Sequence, residues 1–224
     1  MDPALESLYA HASDFSQIGT IVEFGSYEQD NDTSNGKEPI EWIVLDVKKV
    51  RSLLISRYGL DAKPYNNIQR NVTWETSFIR DWLNYDFLDE AFSSEWEKSL
   101  IRSSMIINSG NRNVDGGVDT NDKIFLLSSA EANKYFSSNT ERKCVVTDYA
   151  HESQGATLVW DSPINNQATS WWWLRSPGNS NYTAAYVSST GEIKTDGYAV
   201  DENPGTHISV RPALWIDLKK LGIQ

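Results

Sequence analysis

An α+β fold is predicted for this chain: a mixed, largely antiparallel sheet with helices packed against it. Strand-length apolar runs occur early, after residue 18, and again after residue 171, whereas helical stripes and capping boxes fall between residues 73 and 136. Strands at both ends with helices grouped between them suit α+β better than a regular βαβ alternation. The chain also carries nine Trp, ten Tyr and seven Phe in 224 residues. Each large ring can bury roughly 150–250 Å², so rings rather than aliphatics are expected to fill the core, and disorder is excluded.

This length allows one domain with a sizeable core, and residues 1–224 are read as one. Pro3, Leu5, Leu8 and Tyr9 predict an N-terminal helix over residues 1–13, with proline suited to its first turn. Ile18, Thr20, Val22 and Phe24 alternate as a strand does, and residues 42–47 and 53–56 are compact apolar runs, so three early strands are expected. The run Asp30-Asn31-Asp32-Thr33-Ser34-Asn35-Gly36 between the first two is a polar turn.

Phe78, Ile79, Trp82 and Leu83 form a helical stripe, for which Thr73 is the expected N-cap. Ser94 with Glu97, and Ser128 with Glu131, have capping-box spacing and predict two further helices. Residues 105–107 and 124–127 read as strands; residues 108–122 are too rich in Asn, Asp and Gly for a regular element. Residues 139–160 yield only a turn of helix near residues 147–150. Beyond them, strands are expected at residues 172–174, 184–188, 192–195 and, as one continuous strand, 209–218.

The formal net charge of −11, with no Lys/Arg run, repels phosphate backbones and anionic lipid, so nucleic acid is not an expected partner. Cys144 is the only cysteine; it forms no internal disulfide and anchors no multi-thiolate metal site. Neither a signal peptide nor an apolar run of membrane-spanning length is read here. That is compatible with the cytoplasm or with a fragment of a displayed protein. Oligomeric state is left open.

Residues 171–218 are the stretch around which the chain is organised. They open with Trp171-Trp172-Trp173-Leu174-Arg175-Ser176-Pro177-Gly178 and close with Val210-Arg211-Pro212-Ala213-Leu214-Trp215-Ile216-Asp217-Leu218. Trp173 and Trp215 are expected to be buried frame. Arg175 and Arg211 sit in apolar strand context, where a guanidinium must be paired and hydrogen-bonded, so bridging of loop carbonyls is their expected role and substrate binding the alternative. Between these ends, residues 179–209 are polar and dotted with aromatics, as in a binding surface displayed on a scaffold. Asn181, Tyr182, Tyr186, Tyr198, Asp201, Asn203 and His207 are its candidate contacts, with Tyr supplying rigid area and Asn adaptable hydrogen bonds.

Together with Leu54-Ile55-Ser56, Lys63-Pro64-Tyr65-Asn66, Val72-Thr73-Trp74-Glu75, Ile79-Arg80-Asp81-Trp82-Leu83-Asn84 and Asp122-Lys123-Ile124-Phe125-Leu126-Leu127-Ser128, these ends resemble an uncharacterised bacterial family filed as a domain of unknown function. The end pattern also resembles the C-type-lectin-like fold of formylglycine-generating-enzyme relatives and of variable proteins from diversity-generating retroelements. Trp173-Leu174-Arg175-Ser176 and Val210-Arg211-Pro212-Ala213 take the places of that fold's two closing motifs, with Ser209 where a glycine is usual. The resemblance implies a C-type-lectin-like single domain that binds a ligand. One cysteine does not supply the thiol pair of the formylglycine-generating branch.

No nucleophile elbow, phosphate loop or zinc-protease helix is present. Asp115, Asp119 and Asp122 offer oxygen donors of the kind calcium takes, the alternative being a solvated turn. Zinc and transition metals are not expected, and no organic cofactor is. Glu202-Asn203-Pro204 differs in order from the Glu-Pro-Asn triplet of calcium-dependent lectins. The expected function is therefore a non-enzymatic ligand-binding or display module for a protein or glycan. The alternatives are a structural accessory domain of a larger surface or phage protein, or an enzyme using Asp148, His151 and Glu152.

Overall fold

The computed structural model describes residues 8–201 and 207–223. It is an α+β fold built on two five-stranded sheets. The first contains β1 (Ile21–Tyr27), β2 (Glu38–Lys48), β3 (Arg51–Ser56), β14 (Ala213–Asp217) and β7 (Ile124–Phe125), in that spatial order and all antiparallel. The second runs β12 (Ile193–Ala199), β11 (Thr183–Val187), β10 (Trp172–Pro177), β13 (Ser209–Val210) and β4 (Asp61–Ala62). Only the β10–β13 pair within it is parallel, with Trp172 opposite Ser209. Two hairpins complete the strands: β5 (Ser104–Ile106) with β6 (Thr120–Asp122), and β8 (Val159–Ile164) with β9 (Gln167–Thr169).

The last strand is not continuous. Residues 209–218 split at Arg211-Pro212: Ser209 and Val210 pair in the second sheet, while Ala213 to Asp217 pair with β3 in the first. Pro212 has no N–H to give a ladder, and its carbonyl accepts from Ser56 N–H at 2.9 Å. The chain changes sheets there, so one short motif ties both layers together.

Helices lie mainly between the early strands and the second sheet's meander. Helix α1 (Phe78–Trp82) runs through a π-helical turn, Leu83–Phe87, into α2 (Leu88–Ala91). Its N-cap is Ser77, whose hydroxyl accepts from Arg80 N–H at 3.3 Å; Thr73, expected in that role, instead opens a turn with Thr76. Within the π turn, Asn84 donates to the Ile124 carbonyl at 2.8 Å and accepts from Lys123 and Ile124 N–H, stitching the helix to β7. Both capping boxes form, at Ser94/Glu97 on α3 (Glu95–Leu100) and at Ser128/Glu131 on α4 (Ser129–Tyr135). Residues 8–10 are helical and a 3₁₀ turn follows at Ala12–Ser16; residues 1–7 of the expected N-terminal helix lie outside the described residues.

Two expectations are corrected in the middle of the chain. Thr120–Asp122 forms a strand despite its polarity, because Thr120 and Asp122 point inward to hydrogen-bonded partners. Residues 139–160 contain α5 (Asn139–Arg142), a π turn at Tyr149–Ser153 and most of β8. Strand β8 has no fully buried residue and so no apolar alternation to read. Its hairpin turns at Asn165 and Asn166, both with left-handed backbone, as a type I′ turn requires.

A cluster of buried residues joins the two sheets, with Trp42, Trp172, Phe125, Leu54 and Leu214 among those fully enclosed. Rings are plentiful but packed with equally buried Leu, Ile and Val, so the core is mixed rather than ring-dominated. Trp173, Leu174, Leu214 and Trp215 are all buried. Trp215 lies under cations, with Arg51 4.4 Å and Lys48 5.4 Å from its ring centre.

Candidate functional site

Three consecutive tryptophans on a strand must point to alternate faces. Trp172 turns to one face, where its indole N–H donates to the Arg142 carbonyl at 2.9 Å and its ring packs edge-on to Phe136. Trp171 and Trp173 share the opposite face of the second sheet. Trp173 is sealed there by Tyr65, 5.6 Å away, and donates to the Lys63 carbonyl at 3.0 Å. Trp171 lies beyond that cover and is half-buried.

Around Trp171 the meander assembles two of the residues picked from the sequence. Tyr186 packs at 5.2 Å with an interplanar angle of 32°, Tyr198 at 5.9 Å edge-on, and the two tyrosines meet at 6.2 Å and 84°. Register explains the grouping: Tyr186 stands opposite Trp173 on β10, and Tyr198 opposite Ala184, two positions along β11. Pairs of this geometry contribute about 0.5–1.5 kcal/mol beyond area burial. Burial first, then the nearby Asp196 charge, raises the Tyr186 pKa, which keeps its hydroxyl protonated as a donor. Tyr182, 47 % exposed, precedes β11 at the outer end of this face.

The remaining candidates are distributed differently. Asn181 is exposed and its carbonyl accepts from Val72 N–H at 3.1 Å; Asp201 is half-buried just past β12. His207 sits at the opposite end, bridged to Ala156 and packed over Gly155, two residues before Ser209. Asn203, with the triplet at residues 202–204, lies outside the described residues. Sequence reading missed Trp171 as an anchor, although the triple-tryptophan alternation was the available signal. It also missed Asn111, whose side-chain amide donates to the carbonyls of Pro177, Gly178 and Thr195 at 3.2, 3.0 and 2.6 Å. Nothing in a polar loop marks such an Asn as a brace for the end of a distant sheet.

The two arginines of the closing motifs hold backbone. Arg175 donates to the carbonyls of Leu126 (2.8 Å) and Ile107 (3.2 Å) and pairs with Glu131. Arg211, only 2 % exposed, donates from Nε to the Ser56 carbonyl at 2.9 Å and lies over the rings of Trp172 and Phe136. Burial lowers its pKa, opposed by the Cys144 thiol.

The loop carboxylates do not converge. Asp122 is saturated by the Trp74 indole (2.8 Å), Arg80 (2.8 and 2.7 Å) and Thr120 (2.7 Å). Asp119 accepts from Asn108 N–H and Asp115 from Gly117 N–H. Among the described residues the one group of three potential metal ligands is elsewhere, at Glu28, Asp30 and Glu38. Asp148, His151 and Glu152 do not form a cluster of that kind. His151 meets the Ala156 carbonyl at 2.8 Å, Glu152 accepts from Asn31 at 3.0 Å, and Asp148 lines a groove with Asp30 and Glu38.

A polar network that sequence reading passed over links the two sheets. Tyr27 of β1 donates to Asp61 of β4 at 2.6 Å; Lys63 pairs with Asp61 at 2.9 Å and donates to Gln154 at 2.7 Å, which in turn donates to Tyr149 at 2.8 Å. Burial raises the Asp61 pKa against the opposing pull of Lys63 and the Tyr27 hydrogen bond.

Fold and site together define a two-sheet α+β domain carrying a braced aromatic face on its second sheet. The chain belongs to the family described as Domain of unknown function (DUF6273), which it matches over residues 50–218. No curated protein and no solved structure matches it. Among the described residues no helix is long and apolar enough to cross a membrane.

Proposed function

We propose that the domain is a non-enzymatic binding module that holds a protein or glycan partner against the outer face of β10–β12, on a C-type-lectin-like scaffold. The observation that carries this reading is the half-buried trio Trp171, Tyr186 and Tyr198, gathered outside the Tyr65-sealed part of the sheet. Rings already held by their neighbours lose little freedom on binding, and a few such anchors carry most of the energy of an interface. Tyr182, Asn181 and Asp201 supply the rim, with Asn203 and His207 as further candidate contacts. The scaffold reading is supported by the two closing motifs lying side by side, Trp172 opposite Ser209. The display reading extends to a variable protein of a diversity-generating retroelement, for which residues 179–209 would be the displayed surface.

A glycan array and a pull-down, each run with the native chain and with Tyr182→Ser/Tyr198→Ser, test this. Exposed Tyr182 should be replaceable within about 0.5 kcal/mol of stability, with Tyr198 costing somewhat more through its two ring contacts. The expected result is a ligand held by the native chain and lost by a folded double variant. A folded double variant that binds as the native chain does would move the site off this face.

A further inference from the structure

We propose that Glu28, Asp30 and Glu38 form a calcium site at the end of the first sheet, separate from the aromatic face. One carboxylate oxygen from each of the three lies within 4.8 Å of the others. The cluster is also electrically unbalanced: among the described residues no Lys or Arg pairs with any member. Lys37, beside Glu38 in sequence, pairs with Glu90 instead.

Glu28 is the buried member of the three. It is 6 % exposed, and its Oε1 is buried with no hydrogen-bond partner. A buried carboxylate oxygen without a partner costs free energy that a bound cation removes. The other two ligands are held in place. Glu38 Oε2 accepts from Gln29 N–H at 2.7 Å and Asp30 N–H at 3.2 Å, and Asp30 accepts from Asp32 N–H at 2.8 Å and Asn35 at 2.7 Å. Asn31, in left-handed backbone, ties the turn to Glu152 and Ser153.

Donor chemistry selects the ion. All three ligands are carboxylates, without His or Cys, which suits a hard cation over zinc or copper. The adjoining groove, about 360 Å³, adds the Glu23 and Asp148 carboxylates and room for water. Calcium takes six to eight oxygens in irregular loop geometry, whereas magnesium demands a near-ideal octahedron.

The chelator-treated native chain titrated with CaCl₂ by calorimetry, and melted with and without the salt, tests the proposal. One ion per chain and a melting temperature raised by several degrees are expected, since a ligand that binds the native state stabilises it. Glu28→Gln and Asp30→Asn should each weaken binding at least about tenfold, the loss that removing even a group supporting a metal ligand causes. Both variants should still melt cooperatively without calcium. Asp119→Asn, in the loop at residues 108–122, should bind as the native chain does. No heat and no melting shift up to millimolar calcium would overturn the site. So would native affinity in both variants, or an equal response to MgCl₂.

Discussion

Arg175 reaches from β10 to the first turn of α4 and pairs with Glu131, the same carboxylate that closes the capping box on Ser128. One side chain thus serves helix start and inter-element ion pair together. Burial works to raise the Glu131 pKa, but the Arg175 charge and the hydrogen bonds from Arg175 and Ser128 outweigh it, so the carboxyl titrates below its ordinary value of 4.5. A depressed folded pKa contributes stability that is complete above the unfolded value and is lost as pH falls through the folded one. The native chain should therefore lose stability below about pH 4.5, and Glu131→Gln should flatten that part of the acid limb. At neutral pH, Glu131→Ala should cost about 3–5 kcal/mol, because it leaves the Arg175 charge buried and unpaired. Urea unfolding at several pH values checks both; an unchanged acid limb in Glu131→Gln would place the acid-sensitive carboxylate elsewhere.

Trp215 ties the first sheet to the cations above it. It is 7 % exposed, its carbonyl accepts from Arg102 N–H at 2.8 Å, and Arg51 covers its ring. Trp215→Ala should destabilise by about 3–5 kcal/mol, the usual loss for a buried large ring. Trp215→Phe keeps an aromatic face beneath Arg51 and should cost clearly less. Thermal melts of the two variants that coincide would mean ring burial is not what this position contributes.

Glycine substitutions separate backbone strain from collision. At Gly191 the backbone is left-handed (φ 82°) and an added Cβ would lie 1.7 Å from the Asn139 carbonyl oxygen, beside the 2.9 Å bond from Arg142 Nε to the Gly191 carbonyl. At Gly36 φ is 98° but no atom lies within 4 Å of such a Cβ. Gly36→Ala should cost only conformational strain, about 1–2 kcal/mol. Gly191→Ala should cost several times that or prevent folding. Equal melting temperatures for the two would show that α5 yields to the meander turn rather than fixing it.

Local chemistry was legible wherever it involved only near neighbours. Both capping boxes follow from a Ser and a Glu three residues apart, and the early strands follow from alternation. Reading failed where distant groups decide. Thr120–Asp122 looks like loop until Trp74 and Arg80 arrive to satisfy Asp122. The β8–β9 hairpin has almost nothing to bury, and the π turn at Leu83–Phe87 coincides with Asn84 bonding a strand forty residues on.

The sequence by itself determined the α+β class, the helix starts at Ser94 and Ser128, the burial of Trp173 and Trp215, and the hydrogen bonding demanded of Arg175 and Arg211. Periodicity and the cost of burying charge are local properties of residue type. Tertiary structure alone decided that residues 209–218 would divide between two sheets at Pro212, and that Trp171, Tyr186 and Tyr198 would meet. It also decided that the crowded carboxylates would be Glu28, Asp30 and Glu38 rather than Asp115, Asp119 and Asp122. Strand register and sheet order fix such meetings through contacts between segments far apart in the chain, and residue spacing carries no record of them.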